Sequence, residues 1–173
     1  EALERYLKSF GKQVVKEAKK NLSSAGKKGA LSNSIDFFVI RKGGTVTVRF
    51  KMAAYGVFVD KGVSGKKTKR TYTDKDGKTK TSPFKFGTGS SPAGQGGMSG
   101  IMSKWVKKKG FQWRDEKGRF MSHKSMGYII ARSIYSKGIQ GISFFQKPMM
   151  LGMKTFSKKF GKAIKEDILK SLK

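Results

Sequence analysis

VTVRFKMAAYGVFVDKG, residues 46–62, is the stretch on which the fold of this chain turns. Its first half alternates. Val46, Val48, Phe50 and Met52 fall on one side, Thr47, Arg49 and Lys51 on the other, the two-residue period of a half-buried strand. At Ala53-Ala54 the alternation stops, and two readings fit the letters beyond it. Tyr55, Phe58 and Val59 line one face of a short helix, whereas Tyr55, Val57 and Val59 fit a second strand. Gly62 closes the stretch, and a long basic, glycine-rich segment follows. An ordinary compact element thus delivers the chain to an unusual excursion, residues 63–100.

Upstream, Ile35–Ile40 (IDFFVI) reads as a strand, and Lys42-Gly43-Gly44 as the hairpin turn that leads into Val46–Met52. Residues 29–34, GALSNS, read as a connector. Before them, Leu3, Leu7, Phe10, Val14, Ala18 and Leu22 recur at helical spacing over residues 1–22, with Lys8, Lys12, Lys16 and Lys19 off that line. Gly11 interrupts this helix mildly, and Ser23–Gly26 end it. Its apolar stripe is read as core-facing in preference to membrane-lying. Two strands alone make a marginal sheet, so later strands or a neighbouring subunit are expected to add to it.

Downstream, Thr71-Tyr72-Thr73, Asp76-Gly77 and Thr79–Thr81 outline a solvent-exposed hairpin within the excursion. Asp74 and Asp76 read as turn formers, because the further ligands and terminal Glu of a calcium loop are absent. From Phe84 the run FKFGTGSSPAGQGGMSG is long for a loop. Its Gly87-Thr88-Gly89 is not a phosphate loop, since no GK[ST] follows. Ile101–Lys109 reads as a short helix with Ile101, Met102 and Trp105 inward and Lys104, Lys107, Lys108 and Lys109 in water. Residues 111–121 form a basic aromatic hairpin, Phe111-Gln112-Trp113 and Arg119-Phe120-Met121 flanking Asp115–Gly118. Its rings either cover the core, the preferred reading, or stack on nucleobases with Lys and Arg on phosphates.

Ser122 or Ser125 caps the next helix, which contains Tyr128, Ile129, Ala131, Arg132 and Ile134 and ends near Lys137-Gly138. His123, the sole histidine, takes a capping or solvent role. Residues 138–148, GIQGISFFQKP, form a connector anchored by Phe144 and Phe145. The last helix, Met149–Leu172, carries the stripe Leu151, Phe156, Phe160, Ile164, Ile168 and Leu172. The sum is a single domain over residues 1–173. It is α+β: a small antiparallel sheet packed by long N- and C-terminal helices, with extended basic loop and hairpin insertions.

The charge is the other outstanding feature. The chain carries 39 Lys plus Arg against 11 Asp plus Glu, a formal net charge of +28 over 173 residues. Such a field attracts nucleic acid, an anionic membrane surface or an acidic protein, and it resists self-association unless screened. Candidate contacts for DNA or an acidic partner are Lys66, Lys67, Lys69, Arg70, Lys75, Lys78, Lys80, Lys107, Lys108, Lys109, Trp113, Arg114 and Arg119. No cysteine is present, which removes disulfides and thiolate metal sites. No apolar run is long enough to span a bilayer, and no secretory signal is visible. Only Asp115-Glu116 and Glu166-Asp167 are adjacent acids, and the second pair reads as helix surface. No serine has a defensible His and acid partner, so no enzymatic activity, metal or cofactor is expected.

The order of segments adds a further reading. Ala30-Leu31-Ser32-Asn33-Ser34-Ile35 precedes the strands. Ala54–Gly62 follows them, with Tyr55, Asp60 and Gly62. Phe144, Phe145 and Pro148 precede the final helix. This order resembles the tail-completion or head–tail joining (neck) proteins of tailed bacteriophages, the HK97 gp10-like family. The resemblance rests on Leu31, Ser34, Ile35, Tyr55, Asp60, Gly62, Phe144, Phe145 and Pro148. The chain departs from the family pattern at the basic excursion after Lys61 and at Gln146-Lys147. The resemblance implies that Ala54–Lys61 is a helix. It also implies a non-enzymatic virion protein, a homo-oligomeric ring at the neck that meets portal, adaptor or tail proteins. Non-specific contact with packaged DNA is a further expectation, and no membrane contact is expected. A free nucleic-acid-binding or DNA-packaging protein is the alternative.

Overall fold

The computed structural model describes residues 2–27, 29–87 and 97–172. In chain order its elements are α1 (Ala2–Ser24), α2 (Ala30–Ser34), β1 (Asp36–Lys42), β2 (Thr45–Lys51), α3 (Gly56–Lys61), β3 (Val63–Ser64), β4 (Thr71–Thr73), β5 (Thr79–Thr81), α4 (Gly97–Lys109), α5 (His123–Lys137), β6 (Gly138–Ile139) and α6 (Gln146–Ser171). They form two compact units. The first holds Glu1–Lys61, Thr71–Lys80 and Gly141–Lys173, the second Gly62–Arg70 and Thr81–Gln140. The expected excursion is therefore divided: residues 71–80 belong to the first unit, and most of the rest belongs to the second. Its glycine- and serine-rich residues 88–96, with Thr88 and Gly89 of the rejected phosphate loop, lie outside the described residues.

In the first unit, α1 buries Leu7, Phe10, Val14, Ala18 and Leu22, the stripe expected from its spacing. β1 and β2 pair antiparallel with Phe37 opposite Phe50 and Val39 opposite Val48. Gly43 and Gly44 both take positive φ, 55° and 80°, which a two-residue turn matched to strand twist requires. This is an α+β fold with small antiparallel sheets. The single sheet expected to gain strands is instead three separate two-stranded ribbons among the described residues: β1–β2, β3–β6 and β4–β5. The β1–β2 ribbon is supported by helix. Phe10 of α1 meets Phe50 edge-on with centroids 6.5 Å apart and Phe156 of α6 at 5.2 Å. Gly11 lets α1 approach the ribbon, since a Cβ there would lie 2.2 Å from Cδ2 of Phe37.

Three local expectations need correction here. The connector at residues 29–34 contains a helix, α2, too short to show an amphipathic period. Residues 56–61 are helical, as the resemblance implied, but Tyr55 and Phe58 are exposed, and the helix turns Gly56, Val59 and Asp60 inward. The α6 stripe is misdrawn in the sequence. At about 100° per residue, Leu151 lies about 140° from Phe156, Ile168 about 120° and Leu172 about 160°. Those three residues are exposed, Leu172 by 78%. The face turned inward carries Pro148, Gly152, Phe156, Phe160 and Ala163.

In the second unit, β3 pairs with β6, and the Ser64 backbone also exchanges hydrogen bonds with the chain at Phe84 and Phe86 (2.7 and 2.9 Å). α4 packs on α5 around the buried Val106, Met126 and Ala131. Ser122, the first of the two expected caps, accepts the N–H of Ser125 at 3.1 Å. Ile101 and Trp105 face solvent rather than the core, because the inward residue of α4 is Val106, one position and about 100° further round.

Candidate functional site

In the first unit, the start of α6 is a joint assembled from distant parts of the chain. The N-cap residue, Phe145, offers no side-chain acceptor. Asp60 of α3, only 3% exposed, supplies one from 85 residues away. Its Oδ1 accepts the N–H of Phe145 at 2.8 Å and of Gln146 at 3.4 Å. Lys147 N–H donates to Ser143 O at 3.1 Å, and Pro148 has no N–H to satisfy. The orphan donors that open any helix are thus all accounted for. Burial pushes the Asp60 carboxyl above its ordinary range, while the two donated N–H groups oppose the rise.

The same joint has an apolar floor. Phe144 is fully buried in a cluster with Ala18, Leu22, Leu31 and Ile35, and Phe145 packs against it. The Phe145 ring meets Phe50 at 5.2 Å. Ser34 ties α2 to the end of β2: its hydroxyl donates to Leu31 O at 2.7 Å and accepts the Ala53 N–H at 2.9 Å. Of the residues that carried the resemblance, Leu31, Ser34, Ile35, Asp60, Phe144, Phe145 and Pro148 all belong to this joint. Tyr55 lies exposed before α3, and Gly62, at φ 73°, opens the second unit.

Two further acids act as Asp60 does. Asp167, read from sequence as plain helix surface, accepts the N–H groups of Ala2 and Leu3 at 2.7 and 2.9 Å and so caps α1. Those donors hold its carboxyl far below the usual range. Asp74 organises the β4–β5 turn. Its Oδ1 accepts the N–H groups of Asp76 and Lys78, each at 2.9 Å, and its Oδ2 meets the Lys80 ammonium. Lys80 and those donors depress it to about 2. The hairpin they shape packs on its own unit, with Thr73 N–H on Ser143 Oγ at 3.0 Å and Lys61 Nζ 5.6 Å from the Tyr72 ring centroid.

The predicted cationic contacts divide between the units. Lys75, Lys78 and Lys80 belong to the first, the others to the second. Some are committed internally. Arg70 Nε donates to Lys137 O at 2.7 Å and closes the last turn of α5. Arg119 grips Asp115 through Nε and Nη2, both at 2.9 Å. Lys66 and Lys67 fix the chain through their backbone N–H groups, on Tyr135 O and Ser136 O, with side chains exposed. Lys69, Lys75, Lys78, Lys107, Lys108 and Lys109 are also exposed.

The basic aromatic hairpin has its own anatomy. Asp115 Oδ1 accepts the N–H groups of Lys117 and Arg119, and Met121 N–H returns to Trp113 O at 2.9 Å. Arg114 donates to Gly118 O at 2.7 Å while its guanidinium lies 4.1 Å from the Phe120 centroid. Its rings do not cover the core, contrary to the preferred expectation. Phe111, Trp113 and Phe120 are exposed by 41%, 40% and 61%, and Trp105, 5.2 Å from Phe111, by 40%. Trp105 and Phe111 meet each other and Phe120 meets Arg114, and a hairpin this short has no second layer to bury them against.

Among the described residues, no three His, Asp or Glu gather into a group able to hold a metal ion, and no helix is long and apolar enough to cross a membrane. Comparison with family models, with curated proteins and with solved structures returns no match. The function must therefore be argued from the joint and from the exposed surfaces.

Proposed function

We propose that the chain is a structural subunit of a head–tail connector or tail-completion ring at the neck of a tailed-bacteriophage virion, joining neighbouring copies to portal, adaptor or tail components. The observation that carries this reading is the joint at the start of α6. The residues on which the resemblance rests are short and permissive one by one. Seven of them meet in a single device that caps one helix and buries one phenylalanine, and parts of one device are stronger support than isolated letters.

The surfaces suit a ring. Closure requires two different faces on each subunit, meeting heterologously. The β1–β2 ribbon has one open edge on β1 and another on β2 among the described residues, each a template for an added strand. Phe38 and Ile40 on the ribbon, and Tyr55, Val57 and Phe58 at α3, add exposed apolar area. The net charge of +28 holds free copies apart until a partner or salt supplies counter-charge.

Mass spectrometry and cryo-EM of purified tailed particles test the reading. The expected result is this chain at a fixed, ring-sized copy number, with neck density that accommodates a 23-residue and a 26-residue helix flanking a two-stranded ribbon. Absence from particles, or a neck that cannot hold that fold, overturns it. Sedimentation of the isolated chain across a salt series should show association rising with salt. Rings already closed at low salt would contradict templated assembly.

A further inference from the structure

The second unit concentrates features that the ring reading does not use. Asp115 and Glu116 are its only acids. Asp115 is already held by Arg119, which leaves Glu116 among Lys104, Lys107, Lys108, Lys109, Arg114 and Lys117. Cations in the last turn of α4 suit the helix dipole, and that accounts for part of the lysine run. It does not account for the rings. Both tryptophans of the chain, Trp105 and Trp113, are 40% exposed here, and tryptophan is ordinarily among the more buried residues. The hairpin that presents Phe120 is fixed by the Asp115 hydrogen bonds and by Arg114 stacked 4.1 Å over that ring, so the surface is formed before any partner arrives.

We infer that residues 104–120 form a docking surface for single-stranded nucleic acid, with its phosphates on the α4 lysines and its unpaired bases stacked on the exposed rings. Flat aromatic faces interleaved with cations are what a strand with free bases engages without sequence preference. A duplex offers those lysines its phosphates but keeps its bases enclosed. An acidic protein offers charge but no stack of π-faces. The inference stands independently of the ring reading, since it concerns only the second unit.

Because the chain has no tryptophan elsewhere, its tryptophan emission, excited selectively over tyrosine, reports this surface alone. The full chain is titrated with oligothymidylate, with a duplex of equal length and with polyglutamate of matched charge. Oligothymidylate should quench the tryptophans and bind more tightly than duplex. Trp113→Ala and Phe120→Ala should each weaken it about five- to a hundredfold. The triple change Lys107→Gln, Lys108→Gln, Lys109→Gln should lower the salt slope by about two, while Lys154→Gln, Lys158→Gln, Lys165→Gln on α6 removes equal charge and leaves binding unchanged. Far-UV circular dichroism matching the parent separates lost binding from lost fold. Equal binding of duplex without quenching, equal quenching by polyglutamate, or equal loss in the α6 triple variant overturns the inference.

Discussion

The two units put the same kinds of residue to opposite uses. In the first, Phe10, Phe50, Phe145 and Phe156 touch one another across α1, β2 and α6, with centroids 5.2 to 6.5 Å apart. Its acids Asp60, Asp74 and Asp167 each accept two backbone N–H groups, closing helix starts and a turn. In the second, Trp105, Phe111, Trp113 and Phe120 stand in solvent, and the buried core is small: Val106, Met126 and Ala131 with the buried serines Ser64 and Ser82. Aromatic content alone does not say where stability resides. What separates folding from contact is whether the rings are enclosed: Trp105 and Phe111 meet at 5.2 Å yet both stay exposed.

The largest effect expected from that contrast is at Phe144. It is fully buried at the joint, so Phe144→Ala should cost about 3–5 kcal/mol, the range for a large core ring. Phe120→Ala should cost no more than about 1 kcal/mol, because it removes only an exposed stack with Arg114. Guanidinium denaturation of both variants checks the pair. Similar costs would dissolve the distinction between the units.

Next come two glycines that hold elements close. A methyl at Gly127 would lie 2.5 Å from Ser103 N, so α4 and α5 would have to separate. A methyl at Gly11 would meet the Phe37 ring, a half-buried side chain that can turn aside. Both substitutions should destabilise by about 1–3 kcal/mol, Gly127→Ala the more, despite the better helix propensity of alanine. Thermal melts that reverse this order would mean that the ribbon in the first unit yields less readily than the helix pair in the second.

How far this was legible beforehand follows the range of each signal. The α1 stripe and the β1–β2 hairpin were readable, because each repeats locally and Gly43-Gly44 marks the turn. The periods of residues 54–61 leave helix and strand open, because so few residues satisfy both, and only the resemblance points to the helix. The caps at Asp60 and Asp167 were invisible as caps. A capping box announces itself three residues away, whereas these acids act across 85 and 165 positions. The outward face of α6 was misread because steps of four drift about 40° from the helical repeat, so a stripe begun at Phe156 winds round to the exposed Ile168 and Leu172, on the side that Lys154, Lys158 and Lys165 mark as polar. The spacing of Ile101 and Trp105 against Lys104, Lys107, Lys108 and Lys109 points Trp105 inward, and only the packing of α4 on α5 selects Val106 instead.

Asp60 sharpens the comparison by a smaller amount. Asp60→Ala leaves the Phe145 and Gln146 N–H groups without their acceptor, and the cost should be about 1–3 kcal/mol in urea denaturation. Asp60→Asn keeps a carbonyl oxygen for the same donors and should cost less. Equal losses would show that α6 requires charge at its start rather than an acceptor.

The smallest effect is the most diagnostic of how the acids are used, because two of them pull in opposite directions with pH. Asp74 is depressed to about 2 in the fold, below the ordinary value of 3.8, by Lys80 and by two backbone donors. A depressed carboxylate contributes stability that is present above 3.8 and lost as pH falls through about 2, because the unfolded chain takes up its proton first. Asp167 is depressed further and acts with the same sign. Asp60 is raised by burial, so its protonation favours the fold as pH falls from its raised value towards 3.8. Urea midpoints taken from pH 7 down to about 2.5 should therefore hold or rise slightly before they drop below pH 4. Asp74→Asn should make that drop shallower, and Asp60→Asn should remove the slight rise without touching the drop. A drop unchanged by Asp74→Asn would mean that acid unfolding is driven by the general repulsion of a chain at +28, and that the Asp74 turn contributes no pH-dependent stability.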